Sequence, residues 1–269
     1  MKKFKFEIPE SVQAELNARE EDNAARIKSG VFQLEQSWSS DKRGVPSALL
    51  RSALFGIVRR GRREHMNGVE IASWANNSIK YTGTQLMQSD QDVWMACVEA
   101  CRQQERTEII IPQRELIRLA GRKGSDTRRI WNDLLRLRSA TFEIRTKDYR
   151  YIGGLINNAT LVEKTNHFCI SIDPKMICVF GGQLTHIDTK KRSMLKIDLS
   201  KWMQGYASSH QCSHKKPHLV GLDKLQTLCG STSTMKEFRR SIKKAMTELE
   251  RAYLIKGWGL EKTVLKFWK

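Results

Sequence analysis

Little in this sequence can break a chain or staple it. Five prolines and 17 glycines in 269 residues are too few for a collagen-like or wholly disordered polypeptide. No apolar run approaches the ~18 residues of a membrane span. The opening MKKFKFEIPESVQAEL has no apolar core of the signal-peptide kind, so the expected location is cytoplasmic. None of the six cysteines forms a CxxC pair, and a chain of this length buries enough surface to fold without disulfides or metals. Chemistry-bearing motifs are missing too. There is no GxxxxGK[ST] phosphate loop, Gly121–Thr127 (GRKGSDT) included, and no His-hydrophobe-His pair of a rolling-circle nickase. Carboxylates are sparse among the basic helical segments, which argues against a two-metal nuclease. The expectation is a protein that is not an enzyme, with no catalytic residue, cofactor or metal.

Positive charge is abundant. Forty-seven Lys and Arg stand against 29 Asp and Glu, a net +18, and residues 1–45 are balanced at eight of each. The excess therefore lies entirely in 46–269. Such a charge predicts a polyanionic partner and says nothing of fold. A membrane surface would call for a basic amphipathic helix or a lipidation site, and neither terminus offers one. Nucleic acid is the expected partner. His210, Cys212, His214 and His218 cluster in SSHQCSHKKPH, but zinc sites pair CxxC with HxxxH. A solvated or phosphate-facing loop is the expectation there. Cys97 and Cys101, one helical turn apart beside Trp94 and Val98, read as core residues.

Three regions emerge: a leader over 1–45, helical or partly disordered, then domains over 46–165 and 166–269. Two short strands flank Asn76-Asn77-Ser78, and a helix starts at Ser89-Asp90. A strand over Glu108–Ile111 leads to helices at Gln113–Ala120 and Asp126–Arg138, then strands over Thr141–Thr146 and Tyr151–Glu163. In the second half a helix covers Leu222–Cys229. A second, capped by Ser233 or Thr234, reaches Arg251, and a terminal hairpin closes the chain. The halves look duplicated. Leu116-x-x-Leu119-x-Gly121 matches Leu225-x-x-Leu228-x-Gly230 at an offset of 109. Past the turn the offset is 112, pairing Arg128 with Arg240, Ile130 with Ile242, Leu134 with Met246, Leu137 with Leu249 and Ala140 with Ala252. Helix, glycine turn, basic helix and hairpin make the expected fold α+β: two winged-helix domains in tandem.

In the later basic helix, Phe238, Ile242, Ala245, Met246, Leu249 and Tyr253 form one stripe. Lys236, Arg240, Lys243 and Lys244 form the opposite one, with Arg239 at the border. Cations crowd the N-terminal half, where the helix dipole disfavours them, an order suited to presenting that end to bases and phosphates. Ser233, Thr234, Lys236, Arg239, Arg240, Lys243 and Lys244 are the candidate base-reading set. Lys123, Arg128, Arg129, Asn132 and Arg136 of the first unit are candidate backbone contacts, since residues 122–150 carry nine basic and four acidic residues spread over turn, helix and hairpin.

Ser52-Ala53-Leu54-Phe55, Ile79-Lys80-Tyr81-Thr82-Gly83, Gln85-Leu86, Asp90-Gln91-Asp92-Val93-Trp94 and Leu137-Arg138-Ser139-Ala140-Thr141 carry a family likeness. So do Ile170-Ser171-Ile172-Asp173, Val179-Phe180-Gly181-Gly182, Ser208-Ser209-His210 and Leu228-Cys229-Gly230-Ser231-Thr232-Ser233-Thr234. Over roughly Pro46 to Ile255 the chain resembles the TrfA-type plasmid replication initiators. The resemblance implies two winged-helix domains on double-stranded origin repeats (iterons), help in opening an A·T-rich segment, and recruitment of the host replicative helicase beside the host initiator. It implies initiating monomers, and dimers formed through the first domain. Relatives carry a sliding-clamp motif, Gln-Leu-Ser-Leu-Phe, ahead of that domain. Here Gln33-Leu34 is followed by Glu35-Gln36-Ser37-Trp38, so a clamp contact would rest on Gln33, Leu34 and Trp38. The same winged helices would also serve a transcriptional repressor. Repeated, phased sites at an origin would mark the initiator, and a lone promoter palindrome the repressor.

Overall fold

In the computed structural model, residues 39–57, 63–73, 78–124, 127–145, 150–173 and 184–269 are described. The expected leader helix and the Asn76-Asn77 turn lie wholly or largely outside these residues. Strand β1 (Lys42–Pro46) leads into a four-residue helix α1 (Ser47–Leu50), then β2 (His65–Glu70) and β3 (Ser78–Thr84). Helix α2 (Gln88–Gln104) follows. It is buried on every side from Gln88 to Cys101, as befits a helix enclosed by other elements rather than laid on a surface. Its first turn is held by the Asp90 carboxylate, which accepts from the Met87 N–H at 2.8 Å. Cys97 and Cys101 sit in this helix's core, and burial pushes the Cys101 thiol up to about 12.

Next come β4 (Glu108–Pro112), α3 (Gln113–Leu119), α4 (Thr127–Ser139), β5 (Thr141–Arg145), β6 (Arg150–Gly154), β7 (Asn158–Val162) and β8 (His167–Ser171). Then β9 (Leu184–Asp188) and α5 (Thr189–Met194) lead to α6 (Asp198–Ser208), β10 (His218–Gly221), α7 (Leu222–Leu228), α8 (Met235–Arg251), β11 (Gly257–Glu261) and β12 (Val264–Trp268).

The sheets expose the internal duplication. One has the order β4-β8-β7 and another β10-β12-β11. In both, a strand precedes a seven-residue helix and a longer helix, and a closing hairpin pairs back through its second strand. The glycine turns correspond, with Gly121 at φ 68° and Gly230 at φ 69°, backbone that glycine adopts without a Cβ penalty. The matched positions Ile130 and Ile242, Leu134 and Met246, Leu137 and Leu249, and Ala140 and Ala252 are all buried. The closing hairpin of the first unit is β7–β8. Strands β5 and β6 instead extend a separate sheet of order β2-β3-β5-β6. A hairpin thus follows each basic helix directly, as the sequence suggests, but in the first unit that hairpin is β5–β6, and it joins the β2-β3 sheet instead of pairing back to β4.

Two hydrophobic cores result. One gathers residues from Val45 to Ile187 and the other from Leu195 to Phe267. The changeover falls between Ile187 and Leu195, later than a division at 165/166, which would separate β7 from its partner β8 and remove Phe168 and Ile170 from the first core. Strand β9 pairs with β1, far away in sequence, Lys42 opposite Asp188, and so stays with the first body.

Candidate nucleic-acid interface

Helix α8 is built to show one face. Thr234 caps it: its hydroxyl accepts from the Glu237 N–H at 3.3 Å, and the Glu237 carboxylate accepts from the Thr234 N–H at 3.1 Å. Ser233 is held by its carbonyl, which accepts from the Gln226 side-chain amide at 2.5 Å. The inward stripe of Phe238, Ile242, Ala245, Met246 and Leu249 is buried and wholly apolar. Lys236, Arg240, Lys243 and Lys244 project from the other side. They are exposed, and their side chains make no hydrogen bond or ion pair to another described residue. Eight residues separate Lys236 from Lys244, about 12 Å of helix rise, which matches the width of a DNA major groove. Tyr253, placed on the inward stripe by periodicity, is instead 84% exposed, because the helix ends at Arg251 and Tyr253 turns to φ 54°.

Arg239 has a different task. Its guanidinium donates to the carbonyl of Lys262, the residue at φ 47° in the tip of hairpin β11–β12. The helix and the hairpin are thereby tied beside each other, with Lys262 and Thr263 exposed next to the cationic row. The acids near the helix C-terminus also have work. Glu248 accepts from the backbone N–H groups of Lys196 and Ile197 at 3.3 and 3.4 Å, where a carboxylate meets the positive end of α6.

The first unit differs. Arg128, Arg129 and Asn132 are exposed on α4, and Lys123 is exposed in the turn before it. Arg136 is not part of that surface. It binds Asp90 of α2 at 2.9 Å and also pairs with Asp133 one turn back. Arg122 meets Asp133 at 2.5 Å and donates to the Ser89 carbonyl at 3.0 Å, and Arg63 reaches Asp90 at 2.6 Å. Asp133 is 2% exposed, and burial raises its pKa against the lowering pull of Arg122 and Arg136. A buried acid needs such partners, so Arg136 anchors α4 to α2 rather than facing a phosphate. The (i, i+3) spacing of Asp133 and Arg136 was the sequence signal for this. The outward face of α4 also carries Leu135, 58% exposed, and Trp131, which stacks on Phe168 at 6.3 Å.

The histidine cluster is a solvated loop in its middle only: Gln211, Ser213, His214, Lys215 and Lys216 are exposed, while its ends turn inward. His210 and His218 are half-buried, their rings 4.1 Å apart, and both pack on Tyr206. Desolvation lowers both pKa values, that of His210 to about 4. Among the described residues, no three His, Cys, Asp or Glu side chains converge on a metal-sized site. Nor is any helix among them long and apolar enough to cross a membrane. Gln33, Leu34 and Trp38 lie outside the described residues.

A family model described as TrfA protein matches residues 3–265. The chain belongs to the TrfA family. As a TrfA-family member it is a replication initiator of the plasmid type, a role that implies DNA and the host replication machinery as partners in general terms. No curated protein matches the chain. Among solved structures, a crystal structure of domains 2 and 3 of RctB aligns with TM-score 0.57 at 9% identity, covering 83% of this chain and 98% of that one. A second crystal structure of RctB domains 2–3 aligns with TM-score 0.46 at 10% identity, over 79% and 93% of the two chains. The first of these is a likeness of fold.

Proposed function

We propose that this initiator binds repeated double-stranded origin sites (iterons) through two winged-helix units in tandem. In this reading α3–α4 with hairpin β7–β8, and α7–α8 with hairpin β11–β12, are the two helix-turn-helix modules and their wings. The single observation that carries it is α8: an exposed row of four cations over an apolar buried stripe, beside a wing tip fixed by Arg239. A helix laid in the major groove contacts base edges with its N-terminal residues. Lys236 and Arg240 are accordingly the base readers, and Lys243 and Lys244 follow toward the phosphates. Lys123, Arg128, Arg129 and Asn132 give the first unit a lighter, backbone-directed hold.

The protein acts without catalysis of its own. Bound to its repeats it helps open the adjoining duplex and recruits the host helicase beside the host initiator, while its first unit pairs with a second copy. Footprinting of the purified full chain on its replicon tests the reading. Evenly phased protections repeated across the origin are expected. One isolated palindrome at a promoter, with nothing at the origin, would replace initiation with repression.

A further inference from the structure

The two units are joined through a buried hub that sequence inspection passes over. Arg192 lies in the run Thr-Lys-Lys-Arg-Ser-Met of α5 and is 3% exposed. All its donors are engaged, and they divide between the two bodies. On the first-body side, Nε donates to Asp92 at 2.6 Å, and one terminal nitrogen donates to the side-chain oxygens of Gln88 at 2.8 Å and Gln91 at 3.2 Å. On the second-body side, the other terminal nitrogen donates to the Lys201 carbonyl at 2.9 Å and the Gln204 side-chain oxygen at 3.5 Å. The partners are themselves fixed. Gln88 donates to the Phe55 carbonyl at 2.5 Å, Gln204 to the Asp188 carbonyl at 2.9 Å, and the second Asp92 oxygen takes Lys201 at 2.6 Å. Helices α2 and α6, each the helix ahead of its unit's first strand, are thus clasped by one planar fork. An ammonium cannot reproduce that geometry.

We propose that Arg192 is a positioning residue that sets the angle between the two DNA-contacting units, and so the spacing of sub-sites that one molecule can grip at once. The proposal rests on the tandem-unit reading above. Two linked modules gain on each other only while their geometry allows both to engage. A rigid joint makes the protein intolerant of altered spacing, and a loosened joint gives up affinity on the natural site in exchange for tolerance.

The test uses the full chain and duplexes carrying a site it selects from a random pool. A second set holds an insertion of about 5 bp, half a helical turn, between the segments protected by the two units. For the wild type, insertion should weaken binding about 100-fold. Arg192→Lys and Arg192→Met should each bind the uninterrupted site about 10-fold more weakly, and lose less than about 5-fold more on insertion, as expected when one module no longer constrains the other. Arg192→Met leaves Asp92 paired with Lys201, and Arg192→Lys keeps a charge in place, so folding of either, checked by thermal melting, suffices. Variants that melt earlier yet keep the full insertion penalty would overturn the proposal and leave Arg192 a stabilising residue only. A wild type indifferent to insertion would instead overturn the two-unit reading beneath it, and the proposal with it.

Discussion

Helices α4 and α8 hold matching places in the two units, yet they use their charge in opposite ways. Position by position at the offset of 112, Asp133 stands where α8 has Ala245, Arg136 where it has Glu248, Trp131 where it has Lys243, and Leu135 where it has Thr247. A single acid on the buried side of α4 recruits Arg122 and Arg136 inward, leaving an outward face that is partly apolar. With alanine at that place, α8 has no buried acid to draw its cations inward, and Lys236, Arg240, Lys243 and Lys244 are all exposed. Counting basic residues on a helix therefore says little about DNA contact until the buried acids are known. Arg136, the anchor of α4, has Glu248 at its counterpart, whereas the exposed Arg240 corresponds to the exposed Arg128.

The comparison can be broken most forcibly at Asp133. Asp133→Ala leaves Arg122 and Arg136 without their shared buried carboxylate, and should destabilise the first unit by about 3–5 kcal/mol, read from the urea midpoint at unchanged slope. Ala245 has no charge to lose, so no equivalent weakness exists in α8. The next effect belongs to α8. Arg240→Ala should weaken specific binding by about 1–3 kcal/mol and relax preference at one base position, with the melting temperature almost unmoved. Equal loss on random DNA would remove base reading from Arg240.

Arg128 and Arg136 sharpen the contrast within α4. Arg128→Ala should reduce the salt dependence of DNA binding by about one unit. Arg136→Ala should leave that slope unchanged and appear in stability instead, because its charge is already spent on Asp90 and Asp133. A slope change from Arg136→Ala would return it to the DNA surface. The smallest effect is a pH window. His210 titrates near 4 when folded and near 6.5 when unfolded, since desolvation opposes its charge. The unfolded chain then takes the proton first, so this contribution is intact above pH 6.5 and lost as pH falls toward 4. His210→Phe should show a shallower decline in urea midpoint over that range than the wild type.

Much of this was legible in the sequence. The periodicity of α8, its Thr234–Glu237 cap, the glycine turns and the terminal hairpin each follow from neighbours within a few residues, and local signals survive in sequence. What escaped reading depends on distant partners. Strand β1 is five residues whose partner β9 lies more than 130 positions away, β10 has four residues after a polar loop, and α1 is a single turn. The strand pair that closes the first unit's three-stranded sheet was hidden because the hairpin β5–β6 intervenes between α4 and β7–β8. At the site, exposure of Lys236, Arg240, Lys243 and Lys244 followed from periodicity; for Arg136 the sequence offered only the Asp133 spacing, and its second partner, Asp90, is a distant one. Arg192 carried no signal at all, since a run of Lys and Arg reads as solvated charge.

The bond from Arg239 to the Lys262 carbonyl has a consequence for how binding proceeds. Because helix and hairpin are already latched when the protein meets its site, that part of the grip needs no rearrangement on arrival. The ordering entropy of that corner is lost during folding instead of at encounter, so complex formation there should resemble the docking of a preformed mould more than the closing of a hand.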